Sequence, residues 1–145
     1  MLTLRRTAAA LALGLLMAAA AGCQTNAATG QKFFTTLSPA QEAAIGAEAA
    51  PGLTEQFGGK VASTPLQQYV TNIGLRLAKE TESYFPTLEW EFTLLDSPVI
   101  NAFALPGGKV FISRGLAEKL TSEAQMAGVL GHEVGHVSAQ HTARR

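Results

Sequence analysis

The chain has 145 residues in which 11 Lys and Arg balance 11 Asp and Glu, so the basic excess of a nucleic-acid-binding protein is missing. With 47% hydrophobic and only 15% charged residues, it is equally far from low-complexity disorder, and its length suits one modest domain. Arg5-Arg6 precede an apolar run from Ala8 to Ala21, which is shorter than the roughly 20 residues a membrane-spanning helix needs. A basic start, a short apolar stretch and small residues at its end read as a secretory signal over residues 1–22. Its removal takes away two arginines and leaves a mildly acidic chain of net charge −2 (9 basic against 11 acidic residues).

Ala20-Ala21-Gly22-Cys23 resembles a bacterial lipobox, which implies that Cys23, the only cysteine, becomes an acylated N-terminus. Ordinary signal cleavage at Ala19-Ala20-Ala21 is the alternative. With Gln24 rather than Asp after the cysteine, bacterial sorting rules imply an outer-membrane lipid anchor facing the periplasm. Residues 23–37 are small and polar apart from Phe33-Phe34 and read as a tether, leaving 38–145 as the folded domain.

Ser38-Pro39-Ala40-Gln41 carries the signature of a capped helix start, and Pro51-Gly52 is expected to stop that helix. The same capped start recurs at Thr64-Pro65-Leu66-Gln67, which opens a second helix where Leu66, Tyr69, Val70, Ile73 and Leu77 form an apolar stripe. Over 88–95 the period changes to two, with Leu88, Trp90, Phe92 and Leu94 alternating with polar residues, which predicts a half-buried strand. Asn101–Leu105 and Lys109–Ser113 flank Pro106-Gly107-Gly108 and predict a hairpin. Ser122-Glu123-Ala124-Gln125 caps a last helix. The order predicts an α+β domain with a small antiparallel sheet.

That last helix carries His132-Glu133-Val134-Gly135-His136. At 100° per residue, His136 lies about 40° round from His132 and one turn along, so both imidazoles can reach one ion. A zinc ion so held, one per chain, keeps an open position for water, and Glu133 beside it is placed to act as general base on that water. His141 projects about 140° away from His136 on a continuing helix and reads as a supporting or structural residue rather than a ligand. The pattern with Gly and His at 139 and 142 fails, because Ala139 and Thr142 stand there.

The stretch Leu130–His141 (LGHEVGHVSAQH), preceded by Asn101–Leu116 (NAFALPGGKVFISRGL), resembles the HtpX/Oma1-type zinc metallopeptidases of the gluzincin clan, in particular bacterial periplasmic and outer-membrane lipoprotein members. The resemblance covers roughly 38–145. It implies a gluzincin-like α+β fold, His132 and His136 as zinc ligands, and Glu133 as general base. It also implies that an edge strand, at Asn101, Ala102, Phe103 and Ala104 or at Lys109–Ser113, pairs with extended substrate. In that family the third ligand is a Glu from a later helix. No such residue follows His141 before Arg145, so residues 23–145 alone are expected to bind zinc weakly and to be a poor enzyme.

The leading functional expectation is a lipid-anchored zinc endopeptidase of the bacterial envelope acting on misfolded or assembling polypeptides, with envelope assembly machinery as a partner and no nucleic acid. The competing readings are a non-catalytic, chaperone-like or assembly lipoprotein that keeps the peptide-binding hairpin, and a structural lipoprotein with a relict motif.

Overall fold

The computed structural model describes residues 22–26, 28–35 and 37–139, without side-chain detail for 22–24 and 32–35. The expected signal segment up to Ala21, and His141, therefore lie outside the described residues. In chain order the elements are β1 (Gly22–Thr25), β2 (Lys32–Thr35), α1 (Pro39–Gln56), α2 (Thr64–Lys79), β3 (Glu91–Leu95), β4 (Ala102–Leu105), β5 (Lys109–Ser113), α3 (Arg114–Ala117) and α4 (Glu123–Ser138). The α+β expectation holds. Within the segment expected as a tether, β1 and β2 pair antiparallel in a register that sets Cys23 opposite Phe34. No helix among the described residues is long and apolar enough to cross a membrane.

Ser38 caps α1 reciprocally with Gln41: the Gln41 amide donates to Ser38 Oγ at 3.3 Å, and Gln41 Oε1 accepts from the Ser38 amide at 2.7 Å. Pro51 does not end this helix, contrary to expectation. An interior proline costs about 3 kcal/mol through its missing donor and its clash with the preceding turn. The extra turn carries Phe57 to Phe103, whose ring centroid lies 5.2 Å away, so tertiary packing offsets the local penalty. The stop comes at Gly58 and Gly59, both at positive φ (86° and 83°), a conformation glycine adopts without strain. Earlier in α1, Gly46 lies under the turn after β4, where an added Cβ would stand 1.8 Å from the Pro106 carbonyl oxygen.

The cap expected at Thr64 is also absent. Ser63 takes the cap position without a side-chain bond, and Gln67 turns instead to the sheet. Its side-chain Nε2 donates to the Leu94 carbonyl at 2.6 Å, and its Oε1 accepts from the Leu94 backbone amide at 3.0 Å. Together with the Val61 amide, which donates to the same carbonyl at 3.0 Å, that exchange occupies the outer backbone groups of an edge strand. Of the expected stripe, Val70 and Ile73 are buried, but Leu66 and Tyr69 are 51% and 42% exposed. They line a surface groove of about 460 Å³ shared with Leu120 and Met126.

The sheet order is β3-β5-β4. β4 and β5 form the expected antiparallel hairpin, with Gly107 and Gly108 at φ 82° and 81° in the turn. β3, however, runs parallel to β5, so the sheet is mixed rather than antiparallel. Hairpin signals specify which strands are joined by a turn, not which side of the pair meets β3. The strand also begins at Glu91 rather than Leu88, and it is buried on both faces: Phe92 and Leu94 on one, Thr93 and Leu95 on the other.

Phe92, Leu94, Val110 and Ile112 meet Val70 and Ile73 of α2 and Met126, Leu130 and Val134 of α4, which together form the main core. On the opposite face, Phe103 stacks on Phe111 with centroids 4.9 Å apart.

At the rim of that second face, Lys60 and Lys109 lie 3.1 and 3.4 Å from the Glu91 carboxylate. The hydrogen bond from Lys60 is the largest influence and lowers the Glu91 pKa below its ordinary 4.5, against a smaller opposing effect of burial. A depressed carboxylate pKa stabilises the fold above the unfolded value, and the gain is lost as pH falls through the folded value. Because the Glu91 carboxylate and its main partner Lys60 are about half exposed, the gain is at most about 1 kcal/mol. Urea unfolding followed from pH 7 to pH 3 should therefore show a shallower acid loss for Glu91→Gln than for the wild type. Identical acid limbs would remove Glu91 from the account.

Candidate active site

Helix α4 starts at Ser122, whose Oγ accepts the Gln125 amide at 3.2 Å. The Gln125 side chain bonds Thr121 rather than completing the reciprocal cap. Arg76 of α2 pairs with Glu123, tying the first turn to its neighbour. Met126, Leu130 and Val134 then bury one stripe, which points the opposite stripe outward. Gly128 and Gly135 lie along the outward side, where an added Cβ would meet nothing within 4 Å among the described residues.

His132 and His136 stand together on this helix. Their Nε2 atoms are 2.9 Å apart, and their rings meet edge to face at 88° with centroids 4.4 Å apart. Zinc–imidazole bonds of about 2.0–2.1 Å in a tetrahedral arrangement separate two ligand nitrogens by about 3.3 Å. A small rotation of either ring therefore seats both on one ion, and the donor pair fits zinc. Glu133, between them in sequence, is only 9% exposed. Among the described residues, no group of three or more His, Cys, Asp or Glu is placed to hold a metal ion; His132 and His136 converge as a pair.

The hairpin expectation divides on inspection. Lys109–Ser113 is the central strand, bonded on both sides, and cannot accept a further strand; of the two edges, β3 is partly occupied by Gln67 and Val61, and β4 is the other. The Ser113 amide donates to the Asn101 carbonyl, and in an antiparallel ladder bonded pairs alternate. Asn101, Phe103 and Leu105 therefore direct their backbone groups toward β5. Ala102 and Ala104 direct theirs outward, on a strand that packs beside α4.

Two residues with structural reach escaped the sequence reading. Gln67 reads in sequence as half of a cap but bonds the backbone of Leu94. Asn26 donates across the fold to the Ser138 carbonyl at 2.8 Å, at the end of α4. Its one sequence signal is the Asn26…Thr29-Gly30 turn composition.

Comparison with known proteins places this arrangement in context. Mitochondrial metalloendopeptidase OMA1 of Arabidopsis thaliana is 41% identical over 66 residues, covering 46% of this chain and 14% of the relative. The protein of the same name in Schizosaccharomyces pombe is 37% identical over 81 residues, covering 56% and 23%. The beta-barrel assembly-enhancing protease of Escherichia coli K12 is 37% identical over 79 residues, covering 54% and 16%. The chain thus spans less than a quarter of the length of these relatives. The profile of Peptidase family M48 matches residues 65–145, more than half of the chain and the part that holds both histidines, Glu133 and the β4–β5 hairpin. The protein therefore belongs to peptidase family M48, a family of zinc metallopeptidases.

Proposed function

We propose that this chain carries the zinc-binding and proton-transfer part of an endopeptidase that cleaves polypeptides presented as extended strands. The observation that carries the reading is the convergence of His132 and His136 Nε2 atoms, 2.9 Å apart, beside a nearly buried Glu133. His132 and His136 would hold the zinc, with a third ligand supplied from outside the described residues. When bound, zinc supplies Lewis acidity that polarises a peptide carbonyl and acidifies water. Glu133 acts as general base, taking the attacking water's proton on its carboxylate. The outward backbone groups of Ala102 and Ala104 would pair with the substrate, which gives affinity with little dependence on side chains.

The same proposal places the protein at the bacterial envelope, acylated at Cys23 after loss of residues 1–22. There the substrates are misfolded or assembling envelope proteins, and the assembly machinery is a neighbour. The beta-barrel assembly-enhancing protease among its relatives supports this placement. The second reading, a non-catalytic chaperone-like or assembly lipoprotein, draws on the β4 edge at Ala102 and Ala104, which can hold extended polypeptide without a metal.

The protein expressed from its complete reading frame, incubated with an unfolded casein-type substrate, distinguishes the two. The peptidase reading expects cleavage that a zinc chelator abolishes and added zinc restores. Suppression of substrate aggregation without cleavage, indifferent to the chelator, would favour the chaperone.

A further inference from the structure

We infer that Asn26 is a positioning residue for His136, clamping the last turn of α4 from the loop between β1 and β2. The inference rests on the metallopeptidase reading for its zinc arm only.

The last four carbonyls of a helix have no donors within it. In α4 the Ala139 amide serves Gly135 and Val137, while the Ser138 carbonyl receives the Asn26 side-chain amide at 2.8 Å. The joint is closed to water, since Asn26 is 1% exposed and Ser138 7%. Solvent therefore cannot replace the donor if it is lost, and the described residues offer this buried carbonyl no other donor.

The two ends of the Asn26 side chain do different work. Its Oδ1 accepts from the Ala28 amide at 3.0 Å, the Thr29 amide at 2.8 Å and the Thr29 hydroxyl at 3.0 Å. The backbone of Asn26 closes the same loop, donating to the Gln31 carbonyl and accepting from the Gly30 amide, each at 2.9 Å. The loop thus folds around the oxygen and aims the nitrogen at the helix end, across 112 residues of sequence. His136 lies in the turn so held, two residues before Ser138. Helix ends fray by a residue or two, and fraying here would move the His136 ring relative to His132, which lies one turn further in.

The separation of roles provides the test. Asn26→Asp keeps an oxygen for the loop and replaces the donor to Ser138 with an acceptor. Thr29→Val removes a loop bond and leaves the donor in place. Ser138→Ala removes a side chain and leaves the carbonyl. In the protein from its complete reading frame, two quantities are measured: amide hydrogen exchange at Val137–Ala139, and zinc affinity by chelator competition.

Asn26→Asp is expected to speed exchange at these amides and to weaken zinc about tenfold, with Thr29→Val and Ser138→Ala close to wild type in both. Wild-type exchange in Asn26→Asp would overturn the clamp. Faster exchange with unchanged zinc affinity would overturn the positioning of His136. An equal effect of Thr29→Val would overturn the separate role of the amide nitrogen. A wild-type protein that takes up no zinc overturns the metallopeptidase reading instead, and faster exchange in Asn26→Asp would then still support the clamp.

Discussion

Replacing Glu133 by glutamine is expected to lower kcat for peptide hydrolysis by about two to four orders of magnitude, the range over which a positioned general base contributes. Glutamine has nearly the same volume and keeps an acceptor oxygen, but it cannot take a proton near neutral pH. Although the residue is only 9% exposed, the conserved volume means that its replacement creates no cavity, and His132 and His136 keep their places on α4. Zinc content is therefore expected to stay close to wild type while activity falls. Single-turnover cleavage together with elemental analysis checks both halves. Loss of zinc alongside activity would make Glu133 a ligand or a support for one, and retained activity would assign the base elsewhere.

The second large effect concerns stability. Leu130 is fully buried, two residues before His132, where α4 meets α2 and the sheet. Leu130→Ala removes a side chain that the surrounding strands and helix cannot collapse to replace, and it should cost about 2–5 kcal/mol. That is a large fraction of a small domain's stability, and the thermal midpoint should fall on the order of 10 °C. Val129, partly buried on the same helix, should cost distinctly less when cut to alanine. Urea unfolding of both variants measures the difference. Equal, small effects would mean that the core is not organised around this stripe of α4.

What could be read directly from the chain was local. Ser38 with Gln41 and Ser122 with Gln125 announce helix starts because a cap is decided within four residues. Pro106-Gly107-Gly108 announces a hairpin because positive φ is a property of the glycines themselves. The placement of two imidazoles on one face needs only the helical repeat. The misreadings share the opposite character. Pro51 fails to stop α1 because Phe57 is needed against Phe103, 46 residues away in sequence. Gln67 abandons a cap for the backbone of Leu94. The parallel pairing of β3 with β5, and with it the choice of β4 as the free edge, depends on which side of a hairpin docks. No periodicity encodes that. The paired strands at 22–25 and 32–35 escaped for the same reason, since neither Gly22–Thr25 nor Lys32–Thr35 alternates apolar with polar residues.

The central claim is that His132 and His136 together hold a zinc ion. Elemental analysis of the protein purified from its complete reading frame, beside His132→Ala and His136→Ala, tests it most directly. About one zinc per chain is predicted for the wild type, falling below about a tenth in either variant, since a catalytic zinc site normally has three protein ligands and cannot spare one. Wild-type zinc content in both variants would contradict the claim and move the metal, if one is bound, to another site.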